Sequence, residues 1–243
     1  MSNSYFKFKQ FTINQDKCAM KVCTDACLFG ALAAHYGTFA GPNGQTVNCL
    51  EIGTGTGLLS LMIAQKSAAI KIDAVEIDTE AAVQAAENIT ASPWAASIQI
   101  FNEDILSFSP AKKYDCIISN PPFFEDDLQS ADAAKNNAKH NTSLSLLPLL
   151  QVVDSHLTAD GFFAMLLPYH RVAYFIEASA KMGLHLSKQI LVRQTINHTF
   201  FRGILFFSRK KVEPTLNEIV IKDAEHNYTA AFTAALRDYY LFL

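Results

Sequence analysis

The stretch that decides the fold is residues 47–57, VNCLEIGTGTG, where an apolar run leads directly into three closely spaced glycines. The run VNCLEI has the length and residue types of a buried strand, and residues 58–66 have the apolar spacing of an amphipathic helix. A glycine turn between a strand and a helix lets the backbone approach a ligand closely and directs the helix N-terminus towards it. The stretch therefore predicts a strand–turn–helix unit that binds a ligand.

Strands and helices alternate along the rest of the chain. The further predicted strands are residues 70–77, 98–101, 114–119, 161–167, 184–192 and 203–208, and the further predicted helices are residues 80–90, 143–157, 170–182 and 230–240. Such alternation is typical of a parallel sheet with helices on both faces, so we expect an α/β fold. Because no linker interrupts the pattern, we expect one domain over residues 1–243, with an N-terminal extension at 1–45 and a core at 46–243.

Acidic residues stand at the ends of the first two predicted strands. Glu51 precedes the glycine turn, and Glu76 lies near the end of the second strand. The spacing G-x-G-x-G differs from the G-x-G-x-x-G of dinucleotide-binding folds, and Glu51 would repel a pyrophosphate but attract a cationic or amine-bearing ligand. An acidic residue at the position of Glu76 can accept hydrogen bonds from the hydroxyls of an adenosine ribose.

This arrangement resembles the cofactor site of the Rossmann-like methyltransferases that use S-adenosyl-L-methionine. The resemblance implies a class I methyltransferase fold with a mostly parallel, seven-stranded sheet whose last strand is antiparallel. The cofactor-binding residues that it implies are Glu51, Gly53, Gly55, Gly57, Glu76 and Asp104. Glu51 would serve the methionine end of the cofactor and Glu76 its ribose. Asp104 matches the position that receives the adenine amine, and it is equally well explained as an exposed loop acid.

The fourth predicted strand, residues 114–119, runs into Asn120-Pro121-Pro122-Phe123. Two successive prolines stiffen this segment at the sheet edge where open α/β folds bind ligands. The Asn120 side-chain oxygen and the Pro121 carbonyl can accept both hydrogens of an adenine amine, which directs the nitrogen lone pair towards a methyl donor. Phe123 can stack on the ring. The tetrad resembles the N-P-P-Y/F motif of methyltransferases acting on nitrogens bonded to planar carbon, which makes Asn120, Pro121 and Phe123 the predicted catalytic residues.

Further motifs are distributed along the chain. They are FKQFTINQDKCAMKV at residues 8–22, Thr24-Asp25, NPPFF at 120–124, LPYHR at 167–171, and an ending that contains Tyr228, Phe232-Thr233 and Asp238-Tyr239-Tyr240-Leu241. Over essentially the whole chain, these motifs resemble the bacterial enzymes that methylate N6 of adenine 37 in a valine tRNA. The resemblance implies that activity and tRNA as partner. We expect no metal site. The N-terminal segment would cover the cofactor cleft as a lid or would only cap the sheet.

Cations are unevenly distributed, although the formal net charge is only −3. Residues 170–213 hold eight cations and two anions, residues 1–21 hold four cations and one anion, and residues 120–132 hold four acids and no cation. The two basic regions could meet a polyanion or could simply be solvated surface. The candidates for substrate contact are Lys17, Lys21, Phe124, Arg193 and Arg202. The polar stretch 125–141 is predicted to be a mobile surface loop.

Composition restricts the class of protein. No stretch approaches the ~20 consecutive apolar residues that a membrane span needs, and the N-terminus lacks the pattern of a secretory signal. The five cysteines contain no C-x-x-C pair and are an odd number, which favours reduced thiols. We therefore expect a soluble cytoplasmic protein with no membrane association and no obligate protein partner.

Other functions remain open from the sequence. The same tetrad on the same scaffold occurs in N5-glutamine protein methyltransferases and in enzymes that modify base amines of rRNA. The Phe at position 123 and the absence of a separate helical domain argue against the protein substrate. A catalytically silent RNA-binding module is the alternative outside enzymes, and the intact glycines and Asn120 argue against it.

Overall fold

The computed structural model describes residues 3–18, 20–37, 45–121 and 146–243. The strands in this part of the chain are β1 (Tyr5–Lys7), β2 (Thr12–Asn14), β3 (Val47–Ile52), β4 (Ile70–Val75), β5 (Ile98–Phe101), β6 (Tyr114–Ser119), β7 (Leu157–Pro168), β8 (His185–Arg193), β9 (Arg202–Ser208) and β10 (Thr215–Val220). The helices are α1 (Thr24–Tyr36), α2 (Leu58–Ala64), α3 (Thr79–Thr90), α4 (Leu146–His156), α5 (Val172–Lys181) and α6 (Ala230–Leu236).

Within the described residues, β3 to β10 form one sheet in the order β10-β8-β9-β7-β6-β3-β4-β5, and β1 and β2 form a separate hairpin. All neighbouring pairs in the large sheet are parallel except those of β9, which runs antiparallel to both β7 and β8. Two apolar clusters cover the two faces, with α1, α2 and α6 on one and α4 and α5 on the other. The predicted α/β fold, the mostly parallel sheet and the antiparallel strand β9 are confirmed.

The expected number of strands is wrong, because the described part of the sheet has eight strands rather than seven. The additional strand, β10, pairs in parallel with β8 at the edge of the sheet, with Thr215 opposite Lys188. Its sequence, TLNEIV, has four exposed residues at its start and lacks the apolar run that marks the buried strands. An edge strand is held by backbone pairing on one side, so burial leaves little trace in its sequence.

Helix α1 was not predicted. Ten of its thirteen residues are buried, so the helix lacks the polar face that reveals an amphipathic helix in a sequence. It packs so closely on α2 that a Cβ added at Gly30 would lie 2.6 Å from the Met62 sulfur. The first 45 residues, expected to be an extension, therefore contribute a helix and several aromatic side chains to the core.

The strand ends determine where a ligand can bind. Because β3, β4, β5, β6 and β7 are parallel, the residues that follow each of them lie along one edge of the sheet. In the described parts of the chain, no helix combines the length and the hydropathy that crossing a membrane requires.

Candidate active site

The glycine turn after β3 adopts backbone conformations that only glycine readily accepts. Gly53, Gly55 and Gly57 have φ angles of 73°, 56° and 81°. The amides of Gly53 and Thr54 both donate to the Val75 carbonyl, at 2.9 and 3.1 Å, which fixes the turn against the end of β4. A Cβ added at Gly53 or Gly55 would meet no atom within 4 Å. The turn is therefore an open concave surface of backbone.

Glu51 is buried beneath this turn, with 1% of its surface exposed. Its Oε2 accepts hydrogen bonds from the amide of Ser60, at 3.0 Å, and from the Ser60 hydroxyl. Its Oε1 has no hydrogen-bond partner, although Glu51 lines the cleft beside the glycines. Burial raises the pKa of the Glu51 carboxyl from 4.5 to about 7. An unpaired, buried carboxylate oxygen is suited to a ligand that carries an ammonium group.

Glu76 is held against the other side of the glycine turn. Its Oε2 accepts from the Gly55 amide at 2.8 Å, and its Oε1 accepts from the Asp78 amide at 3.0 Å. Each carboxylate oxygen has a second lone pair, so the group can still accept from a ligand. Asp104 lies farther along the edge, is exposed, and accepts from the Leu106 amide at 2.9 Å. The Glu103 amide donates to the Glu76 carbonyl at 3.1 Å, which connects the two loops.

Asn120 lies at the end of β6, the strand next to β3. Ser119 is paired with Ile52 in the sheet, and its hydroxyl donates to the Ile52 carbonyl at 3.0 Å. This pairing brings Asn120 into the same cleft as Glu51, Gly53 and Gly55. Pro121 directly after it is buried. Phe123, Phe124 and the predicted loop 125–141 lie outside the described residues.

The N-terminal segment forms the opposite wall of this cleft, at Met20, Lys21, Val22, Cys23 and Ala26. Side-chain amides hold the segment in place. The Gln15 side chain accepts from the Val22 amide at 2.8 Å, and the Gln84 side chain accepts from the Lys17 amide at 3.0 Å.

Asn88 connects this segment to the glycine turn. Its Nδ2 donates to the carbonyls of Asn14 and Thr56, both at 2.9 Å, and its Oδ1 accepts from the Asn14 amide at the same distance. Sequence reasoning missed Gln84 and Asn88. The sequence signal that could have revealed them is the presence of two side-chain amides, four residues apart, on the apolar face of α3 that also presents Ala81, Ala85 and Ile89.

The cations predicted to contact the substrate are mostly engaged within the protein. Lys17 pairs with Glu87 and Arg202 with Asp25, each at 2.7 Å. Arg193 pairs with Glu218, also at 2.7 Å. Among the four predicted cations, the structure places Lys21 in the lining of the cleft. In the described part of the chain, no group of three or more His, Cys, Asp or Glu residues is arranged to hold a metal ion.

Known proteins resemble this chain over nearly its whole length. The family model for the methyltransferase small domain matches residues 33–147. The tRNA1(Val) (adenine(37)-N6)-methyltransferase of Klebsiella pneumoniae (strain 342) is 39% identical over 241 residues, which cover 98% of this chain and 95% of the relative. The enzyme of the same name from Bacteroides fragilis (strain YCH46) is 39% identical over 244 residues and 99% of both chains. The chain belongs to this family.

The solved structures agree on the fold. A predicted O-methyltransferase from Agrobacterium tumefaciens superposes with a TM-score of 0.64 over 88% of this chain and 96% of its own, at 13% identity. At that identity the likeness shows the class I methyltransferase fold alone. The resemblance identified in the sequence is thus confirmed at the level of family and fold.

The cofactor of this family and fold is S-adenosyl-L-methionine, and the residues present fit it. Glu51 offers a buried oxygen without a partner to an ammonium group. Gly53 and Gly55 leave open the space that any other side chain would fill. Glu76 offers a carboxylate to ribose hydroxyls at the next strand end.

Proposed function

We propose that this protein transfers a methyl group from S-adenosyl-L-methionine to N6 of adenine 37 in the anticodon loop of a valine tRNA. The observation that carries the proposal is the position of Asn120, which lines one cleft together with Glu51, Gly53 and Gly55. The names of relatives that match the chain over nearly its whole length support the substrate. Lys21, which lines the same cleft as Asn120, adds a positive charge that suits an anionic substrate.

The chain's own residues would orient the reaction. When bound, S-adenosyl-L-methionine supplies an electrophilic methyl group. Asn120 Oδ1 and the Pro121 carbonyl oxygen accept the two hydrogens of the adenine amine, which leaves the nitrogen lone pair free to face the cofactor. These acceptors also stabilise the positive charge that develops on nitrogen. The proton then leaves to solvent, so a strong base in the chain is not needed.

The Asn120→Ala variant tests this assignment. We expect turnover on tRNA to fall on the order of a hundredfold or more, because one preorganised acceptor is lost. Cofactor affinity, measured by calorimetry, should stay within a few-fold, since Asn120 contacts the amine rather than the cofactor. Asn217→Ala is the matched control, because Asn217 is exposed on the edge strand β10. Unchanged turnover in Asn120→Ala would remove this residue from the mechanism.

The competing substrates can be separated in one assay. Methyl incorporation is measured with total tRNA, rRNA and release factors offered side by side, and the modified nucleoside is mapped by mass spectrometry. Modification of tRNA at N6 of adenine supports the proposal. Modification of a release factor would favour a glutamine-amide methyltransferase. Modification of a base amine in rRNA would favour an rRNA methyltransferase. Binding of RNA without any methyl transfer would favour a binding module. A cytoplasmic location remains a prediction, supported by the free thiols of all five cysteines and by the proposed substrate. Independence from a protein partner also remains a prediction.

A further inference from the structure

Two aromatic side chains lie together at the substrate edge of the sheet, and the site described above does not use them. Tyr169 directly follows β7 and is 44% exposed, and Phe200 precedes β9. Their ring centroids are 5.5 Å apart, with the ring planes at 49°. The Tyr169 amide donates to the Phe201 carbonyl at 3.0 Å, so the two backbones are fixed to each other. We call these two side chains the aromatic edge.

The aromatic edge is beside the proposed methylation site. β7 is the neighbour of β6, and Ser119 is opposite Met165 in their parallel pairing. Asn120, one residue on, is therefore level with Leu166, and Tyr169 lies three residues farther along the chain, directly after the end of β7. At ~3.3 Å per residue, this offset is about 10 Å along the strand direction. That distance is within reach of the nucleotides that flank a base held at Asn120.

The surroundings of the aromatic edge suit a polyanion. The two segments that carry it, residues 169–171 and 193–202, contain His170, Arg171, Arg193, His198 and Arg202 and no acidic residue. Arg193 is paired with Glu218, and Arg202 is paired with Asp25.

Arginine side chains also fix the geometry of the aromatic edge. The Arg193 guanidinium lies 5.1 Å from the centre of the Phe200 ring, and the same side chain donates to the Ile196 carbonyl at 3.1 Å. Arg202 connects the start of β9 to Asp25 in the first turn of α1, between two residues that line the cleft, Cys23 and Ala26. The aromatic edge is therefore held rigidly relative to the cleft.

We propose that Tyr169 and Phe200 form a stacking surface for unpaired bases next to the target adenine of a single-stranded RNA loop. This proposal rests on the proposed function and specifies how its substrate is held. Stacking on an aromatic face suits an anticodon loop because a target base that is drawn out of the loop leaves its neighbours unstacked. Tyr169 is exposed and Phe200 is half-buried, and both lie beside cations and are fixed by the backbone. Such a pair provides a stacking surface without reading the sequence.

The experiment measures the binding of a fluorescein-labelled, single-stranded heptaribonucleotide by anisotropy, together with kcat and KM for the tRNA. Tyr169→Ala and Phe200→Ala should each weaken heptamer binding and raise KM for the tRNA by roughly 5- to 150-fold. Tyr169→Phe should restore both values, because stacking does not need the hydroxyl. The slope of log affinity against log salt should stay that of the wild type, since no phosphate contact is removed.

Tyr36→Ala is the matched control. Tyr36 is also 44% exposed, and its ring contacts those of His35 and Phe206. It ends α1, about 20 Å along the helix from the cleft residue Cys23. We expect its heptamer affinity and its KM to equal those of the wild type. Cofactor affinity, measured by calorimetry, should be unchanged in every variant, which verifies that each is folded.

Each other result decides against the proposal or separates it from the proposed function. Heptamer affinity and KM within twofold of the wild type in both alanine variants would overturn it, as would a wild-type protein that does not bind the heptamer. If the wild type binds the heptamer through the aromatic edge but does not methylate tRNA, the proposed function fails while the stacking surface stands.

Discussion

The cofactor side of the cleft and the cations predicted to contact RNA differ in what determines the position of their side chains. On the cofactor side it is the conformation of the residue's own segment, whereas for the cations it is an ion pair with a residue distant in the sequence. On the cofactor side, Gly53 and Gly55 owe their place to backbone angles that a neighbouring strand and helix impose. Glu51 lies near the end of the buried strand β3 and keeps one oxygen without a hydrogen-bond partner. On the cationic side, Lys17 and Arg193 are paired with Glu87 and Glu218, which lie 70 and 25 residues away in the sequence.

This difference shows which kinds of residue can be placed in the structure from the sequence. A glycine with positive φ and a carboxylate at a strand end are required by the geometry of their own segment, so the sequence places them correctly. A cation on a surface takes its role from whichever acid the fold brings near it. The first kind of residue should respond strongly to substitution, and the second weakly.

The largest expected effect on the cofactor side is that of Glu51→Gln. Removing the charge that faces the ammonium group should weaken cofactor binding by about 2–4 kcal/mol, measured by calorimetry, because truncating a buried charge pair is costly. Since the pKa of Glu51 is about 7, wild-type cofactor affinity should rise with pH through that value, and binding below pH 7 should release a proton. The variant should lose this dependence, and Glu225→Gln, at an exposed loop position, should keep it.

The same pKa predicts the pH dependence of stability without cofactor. The folded state holds a proton on Glu51 between about pH 4.5 and 7, where the unfolded chain has lost it. The free energy of unfolding should therefore decrease as pH rises through this window, and the decrease should be smaller in Glu51→Gln, in denaturant titrations at several pH values. An identical pH dependence in the two proteins would contradict the burial of this carboxyl.

A smaller effect is expected for Glu76→Ala. It removes the acceptor for a ribose hydroxyl and for the Gly55 amide, so cofactor binding should weaken by about 1–3 kcal/mol. Calorimetry checks this value, and Glu80→Ala, on the exposed first turn of α3, is the control. Cofactor affinity that is equal in Glu76→Ala and Glu80→Ala would mean that the end of β4 does not contact the cofactor.

The smallest effect is expected for Lys17→Gln. Because Glu87 already neutralises the ammonium group at 2.7 Å, its loss should change KM for tRNA by less than about threefold. The salt dependence of RNA binding should also keep its slope. A salt slope that is smaller by about one in Lys17→Gln would show that Lys17 leaves Glu87 to contact a phosphate. The distinction between the two sides of the cleft would then fail.

Particular elements show how far sequence reasoning reached. The strands that flank the glycine turn were predicted because they are buried on both faces and consist of apolar runs. Helix α1 was missed because it is buried on nearly all sides, and β10 was missed because it is mostly exposed. Both elements were missed for the same reason. Periodicity in a sequence arises when one face of an element is buried and the other is exposed, and neither α1 nor β10 has two such faces.

The sequence by itself determined the class of fold, the glycine turn and the order of acidic residues and asparagine along the strand ends. Each of these depends on the conformational limits of one segment. The tertiary structure alone decided that Asn88 joins the N-terminal segment to Thr56, that the cations of Lys17, Arg193 and Arg202 are paired, and that Tyr169 meets Phe200. These contacts join residues from separate segments, so no local preference specifies them before the chain has folded.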